Sequence, residues 1–526
     1  MNTSTKAKAD PSAALWDDNQ GAPKDDKIVG AVPQFVQGMG LFSATALVMG
    51  SMIGSGIFLV SADMSRTLGS PALLIAAWLL TAVMTIIGAL SYGELAAMMP
   101  KAGGQYVYLR EGLGPIWGFL YGWTLFLVIQ TGTIAAVGVA FGKFLGVFFP
   151  SISAEHWIWH VGNGHVGLNT ANLVAIGIIT LLTVVNSLGV KLGSAVQNVF
   201  TSAKVLALLA VIAVGVIAKN AAAIAANFGS GWHEFWAGAG LDQVRMISVG
   251  SFWPGTHDSN AMVGALTAIA VVQVGSLFSS DSWNNVTFTA GEVRNPKKNL
   301  PLSLALGTGV VLLLYVLCNF VYLSVLPLAG MPGSGTVVGR GIQYAAQDRV
   351  ATAVMAQAFG AIGAKWMAGA ILISTFGCVN GILLSGARVY YAMSQDGLFF
   401  KAVGRLNEKT KAPVNSLWVQ WGWTCLLCLS GSYGDLLDYV IFAVLIFYIL
   451  TIVALFVLRF TKPRMYRPYK AFGFPFLPGL YIVLATWVSV VLLRYKPQYT
   501  WPGLILVLIG VPVYWFWKRQ GSTLEA

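Results

Sequence analysis

Apolar runs of about 20 residues, each long enough to cross a bilayer, recur along the chain from Leu41 onward. The stretch from Val440 to Val457 is one of them and carries no charge. Inside hydrocarbon every backbone polar group must find its partner within the protein, so only helices and closed barrels span it. Barrel strands alternate apolar and polar residues; these runs do not. They therefore predict an all-α polytopic membrane protein. Only 10% of the 526 residues are charged, against roughly 25% in soluble domains. Twelve spans are predicted, at residues 41–67, 71–99, 115–148, 170–188, 194–218, 262–290, 301–327, 364–394, 415–431, 434–460, 472–493 and 500–518.

The net charge of +12 raises the question of nucleic acid, but its placement answers it. About 22 of the Lys and Arg residues fall on the side of the N-terminus and about 9 on the other, as the positive-inside rule expects. The basic balance reports orientation in a cell membrane, with lipid as the partner and no nucleic acid. Both termini are then cytoplasmic, with Lys518 and Arg519 just past the last span. Residues 1–38 are polar, contain Pro11, Pro23 and Pro33, and lack a signal-peptide core. They read as a disordered cytoplasmic tail. Cys318, Cys378, Cys425 and Cys428 all sit in apolar segments and read as small buried hydrophobes. The outward loop 149–169 holds His156, His160 and His165. Glu155 is the one carboxylate in that loop and there is no thiolate, a weak ligand set, so neither metal nor cofactor is expected.

The first span is interrupted at Gly54-Ser55-Gly56. Glycine weakens a helix by about 1 kcal/mol relative to alanine, and irregular backbone at membrane depth is tolerated only where it is buried in protein or lines a cavity. Freed N–H groups at the start of a second half-helix suit an anion such as a carboxylate. Freed carbonyls at the end of the first half suit an ammonium group. One break thus offers both ends of an α-amino acid. The alternative is a packing motif in which small residues admit a neighbouring helix.

A second polar interruption, Phe278-Ser279-Ser280-Asp281-Ser282-Trp283-Asn284-Asn285, lies in the sixth span. Five spans separate the starts of the two broken helices, so they enter from opposite faces. That is the pattern of a five-helix repeat inverted across the membrane, and paired broken segments point to a transporter's binding site. The repeats are residues 39–219 and 262–460. Residues 220–261 form an outward loop or cap, and 461–526 carry helices 11 and 12 and a cytoplasmic C-terminus. Three further polar groups lie within spans. Gln130 reads as an interhelical hydrogen bond. Lys204 lies too deep to snorkel and is a functional candidate, its alternative being packing against carbonyls. Asp281 is expensive near mid-membrane unless it faces water, a ligand or a partner.

The chain resembles the amino acid–polyamine–organocation (APC) superfamily of transporters, and within it the L-type amino acid transporter branch. The residues that carry the resemblance are Ile53-Gly54-Ser55-Gly56-Ile57-Phe58, Glu94-Leu95 with Pro100 and Gly103-Gly104-Gln105-Tyr106, Trp283-Asn284 with Glu292-Val293-Arg294-Asn295-Pro296, and Arg467-Pro468-Tyr469. The resemblance implies twelve helices, ten of them in the 5+5 inverted repeat with helices 1 and 6 broken. It implies a substrate carboxylate held near Ser55, Gly56 and Ile57, and an α-amino group near the carbonyls of Met52, Ile53 and Phe278. Phe278 would also gate the site from above, and the adjoining Ser279 is counted with it. Lys204 would stand where sodium-coupled relatives hold an ion, bridging helix 1 near Gly50 to helix 8 near Ser374. Asp281 remains open between contacting a substrate amine and capping a half-helix. Relatives joined to a glycoprotein use a cysteine between helices 3 and 4; loop 149–169 has none, so no disulfide-linked subunit is expected.

These readings converge on a secondary transporter of L-amino acids by alternating access, sodium-independent, either exchanger or proton symporter. The alternatives are a membrane-embedded enzyme and an amino-acid-sensing receptor of the same fold. An enzyme would need a nucleophile–base pair or metal ligands within the spans, and all five His (His156, His160, His165, His233, His257) fall in predicted outward loops.

Overall fold

The computed structural model describes residues 35, 37–161, 166–229, 232, 261–429 and 433–522. The predicted tail up to residue 34, most of the 220–261 cap, and His165, His233 and His257 lie outside them. Among the described residues ten helices are long and apolar enough to cross a membrane. They begin with the pair Leu41–Met52 and Gly56–Leu68, which together make the first span. The second is Pro71–Met98, whose Ser70 N-cap and Pro71 start follow the usual helix-opening chemistry.

Two predicted spans are not among these ten. The sixth stops as a helix at Ser279 and resumes only as the short helix Asn285–Phe288. The ninth is helical over Val414–Leu427. The eighth lies within a longer helical stretch, Val350–Gln395, divided at Phe359 and Gly360, where Gly360 has φ +62°. The loop between the third and fourth spans contains a small antiparallel hairpin, Trp157–Val161 with Val166–Asn169, that periodicity did not reveal.

The third span departs from a simple helix. Pro115–Thr124 passes through a π-helical turn at Leu125–Ile129 before Gln130–Leu145. The Thr131 hydroxyl donates to the Phe126 carbonyl five residues back, as the wider turn allows. Such π-turns re-aim the residues they contain and occur often at functional sites. Gln130 makes the expected interhelical bond, donating from Nε2 to the Ile382 carbonyl of the eighth span at 2.7 Å.

The entrance to the first span is pinned beside the exit of the sixth. Met39 N donates to Glu292 O at 3.0 Å and Arg294 N to Met39 O at 2.8 Å, an isolated parallel bridge between Met39 and Val293. That places both interrupted helices side by side in the bundle.

Candidate functional site

In the first span the helix ends at Ile53, whose ψ of 90° is extended, and restarts at Gly56. The carbonyls around this break are reached by side chains from the fifth, seventh and eighth spans. Lys204 of the fifth span donates from Nζ to Gly50 O and to Ile53 O, both at 2.7 Å. Ser374 of the eighth lies 3.2 Å from Ile53 O and 3.1 Å from Gly54 O. Cys378, one helical turn further, donates its thiol to Ser51 O at 3.1 Å. It is therefore a backbone partner as well as a small buried residue; Cys425 is only half-buried. The link from Lys204 to the eighth span is indirect, through the Ile53 carbonyl that Lys204 shares with Ser374. The glycine at position 50 is needed because a Cβ there would overlap Gln197 and Thr201 of the fifth span.

The second break is wider. Asp281 N donates to Phe278 O at 3.3 Å, and Ser282 takes φ +65°, a left-handed conformation that costs a non-glycine residue energy and persists only when its surroundings impose it. Asp281 Oδ1 accepts from the Tyr448 hydroxyl of the tenth span at 2.5 Å. The Tyr448 ring in turn lies 5.2 Å from that of Trp283. Asp281 thus has a fixed partner on the tenth span.

The two breaks touch. A Cβ on Gly56 would lie 2.7 Å from Ser279 Cβ and 2.9 Å from Ser279 Cα. Tyr315 of the seventh span, Pro296–Val325, stands across both: its hydroxyl is 3.1 Å from Met52 O and 3.1 Å from Ser279 O. Two turns along the same face, Tyr322 donates to Ile57 O at 3.3 Å. Sequence reading missed both tyrosines, although Tyr315, Asn319 and Tyr322 recur at the i, i+4, i+7 spacing of one helix face.

Two adjoining cavities open beside Asp281 and Tyr448. One is lined by Gln105, Gln130, Asn284 and Asn285 together with Tyr121 and the π-turn residues Leu125 and Ile129. The other is lined by Thr85, Ser280, Trp283 and Tyr481. Of the contact residues expected from sequence, Asp281 faces these cavities. Met52, Ile53, Ser55, Ile57 and Ser279 are packed against protein, at most 3% exposed, Gly56 is buried beside them, and Phe278 is buried with its carbonyl bonded to Asp281 N. The Asn285 Nδ2 group is buried with no hydrogen-bond partner among the described residues.

Most of the remaining motif residues gather away from the breaks, at the end of the bundle where the chain enters. Glu94, fully buried, accepts from Arg459 Nε at 2.9 Å, Arg467 Nε at 3.2 Å and Ala471 N at 2.7 Å. Glu292 pairs with Arg388 at 3.0 Å, both 1% exposed, and the Phe35 ring covers the guanidinium at 6.0 Å. On the short helix Gln105–Leu113, Tyr106 donates to Asp396 Oδ2 at 2.6 Å. Burial and that carboxylate hold its phenol well above the ordinary tyrosine range.

Interrupted helices packed face to face, with an ammonium fixed on the carbonyls of one of them, are the arrangement on which membrane transporters build a binding site. The chain belongs to the amino acid permease family of the APC superfamily, whose model matches residues 39–515. Its relatives include the b(0,+)-type amino acid transporter 1 of Mus musculus, 26% identical over 91% of this chain and 87% of the relative. The serine/threonine exchanger SteT of Bacillus subtilis is 27% identical over 92% and 98%. The large neutral amino acids transporter small subunit 2 of Rattus norvegicus is 27% identical over 92% and 81%. The family and these relatives transport amino acids, which sets aside the membrane-enzyme alternative. This chain is accordingly a multi-pass membrane protein of amino acid transport.

Proposed function

We propose that this protein is a secondary active transporter of L-amino acids in the cell membrane, sodium-independent and working by alternating access. Twelve spans, two inverted five-helix repeats and two cytoplasmic termini are the architecture this reading uses. The observation that carries it is the position of Lys204. Its ammonium occupies the carbonyls of Gly50 and Ile53 at the end of a broken helix, a place where a bound cation would otherwise be needed to satisfy them. A fixed ammonium makes a sodium ion there redundant.

The substrate carboxylate sits at the N-terminal end of the second half-helix, at Ser55, Gly56 and Ile57. Its α-amino group lies near Met52, Ile53 and Phe278. Its side chain enters the cavity beside Asp281, where Gln105, Gln130 and Asn285 favour a polar or cationic group. Since Gly56 packs on Ser279, a substrate needs these two breaks to separate, which is what rocking of one bundle against the other supplies. Exchange is the favoured mode, supported by the exchanger name of the Bacillus subtilis relative; proton symport is the second reading. No disulfide-linked subunit is required, because residues 149–169 offer no cysteine.

The test is uptake of labelled amino acids into proteoliposomes. Preloading with unlabelled substrate accelerates uptake if the protein exchanges; an imposed proton gradient drives it if the protein is a symporter. Stimulation by sodium would overturn the role given to Lys204.

A further inference from the structure

The Tyr315 hydroxyl sits between two carbonyls that belong to different broken helices. Met52 O closes the first half of the first span, and Ser279 O closes the helical part of the sixth; each is 3.1 Å from Tyr315 Oη. A phenol has one hydrogen to donate, so it serves the two carbonyls by sharing or alternation. Both are buried carbonyls freed by helix interruption, and leaving either unsatisfied at membrane depth is costly. The ring is held in place: it is fully buried, meets Trp78 edge-on at 5.7 Å, and its own carbonyl accepts from Asn319. Asn319 in turn accepts from Ser61 of the second half-helix at 2.7 Å. The seventh span therefore holds the first span on both sides of its break and bonds the Ser279 carbonyl of the sixth through the Tyr315 hydroxyl.

We propose that Tyr315 is a positioning residue that sets the spacing of the two breaks for substrate, through its hydroxyl rather than its ring. This rests on the transport reading above. Substrate placed between the breaks separates Gly56 from Ser279, and the Tyr315 hydroxyl keeps one carbonyl of each break bonded while that spacing changes. Tyr322 provides the internal comparison. It is equally buried, and among the described residues its hydroxyl bonds one carbonyl, Ile57 O of the first span.

The experiment compares Tyr315→Phe and Tyr322→Phe with the unmodified chain in proteoliposomes, reading KM and maximal rate separately after matching protein incorporation. Tyr315→Phe raises KM about tenfold, the worth of one hydrogen bond, and both it and Tyr322→Phe lower the melting temperature of the substrate-free protein, since each leaves a buried carbonyl unmet. Tyr322→Phe leaves KM within about twofold, less than half a hydrogen bond's worth. An unchanged KM in Tyr315→Phe, or an equal shift in both variants, overturns the proposal. If Tyr315→Phe does not fold, 3-fluorotyrosine at position 315 replaces it. That group keeps the ring and donates more strongly, so KM falls, and an unchanged KM overturns the proposal. Absence of any uptake by the unmodified chain sinks the transport reading itself, which is a different outcome.

Discussion

Gly56 and Ser279 stand so close that the glycine's missing Cβ would lie 2.7 Å from the serine Cβ and 2.9 Å from its Cα. Backbone at that distance cannot give way as a flexible side chain would. The contact joins two interruptions more than 200 residues apart in sequence, and it explains why this position in the break is glycine: no side chain fits while the halves are packed.

Gly56→Leu is expected to abolish uptake, because the added side chain must push the sixth span away from the first. Gly177→Leu is the control, since a Cβ there meets nothing within 4 Å and uptake stays normal. Overpacking a buried site typically costs about 1–3 kcal/mol, so folding is checked by gel filtration alongside. Full uptake by a well-folded Gly56→Leu would refute the placement of substrate at this break.

Lys204→Ala removes the donor to Gly50 O in the fully buried interior and leaves Ile53 O to Ser374 alone. Transport is expected to fall at least tenfold, with a lower apparent melting temperature, since each unsatisfied buried group costs about 1–3 kcal/mol. The measurement is uptake with and without sodium. A variant that transports at the unmodified rate would remove the main support for sodium independence.

Much of this arrangement was legible in the sequence, and the part that was not has a physical reason. Glycine and serine clusters in apolar runs announce weak helix, so the breaks at Gly54-Ser55-Gly56 and Phe278–Asn285 could be placed. A lysine beyond snorkelling distance marks a functional candidate, and its neighbours near Gly50 and Ser374 came from the family resemblance. The sequence does not encode which hydroxyl lies opposite which carbonyl. Tyr315 and Tyr448 look like ordinary aromatic residues of apolar helices, and only the packing of the seventh and tenth spans shows their hydroxyls reaching Met52, Ser279 and Asp281. The π-turn at Leu125–Ile129 was equally silent, because widening a helix by one residue leaves no compositional mark. Glu94 and Arg467 were noticed as motif residues, yet nothing in their spacing revealed that they bond to each other.

Asp281→Asn keeps the shape of the side chain and its capacity to accept from Tyr448, while removing the negative charge from both cavities. The expected outcome is a shift in selectivity: cationic amino acids compete less well, by about tenfold for a lost charged hydrogen bond, and neutral ones are little affected. Competition by arginine, serine and leucine against one labelled substrate measures this. An identical ranking before and after the change would leave Asp281 as a partner of Tyr448 and nothing more.

Glu292 and Arg388 form an ion pair from which water is almost wholly excluded. Removing one partner of such a pair strands the other charge and costs about 3–5 kcal/mol, whereas replacing both with apolar residues is often neutral. Glu292→Leu and Arg388→Met are therefore each expected to lower the apparent melting temperature sharply, and the double variant to recover most of the loss. The Glu292 backbone also accepts from Met39 N, a bond that neither side-chain change removes, so the junction of the first and sixth spans persists in all three variants. Additive destabilisation in the double variant would show that the two side chains act independently, and that the Phe35 ring over Arg388 or the bond from Arg388 to the Leu384 carbonyl carries the effect instead.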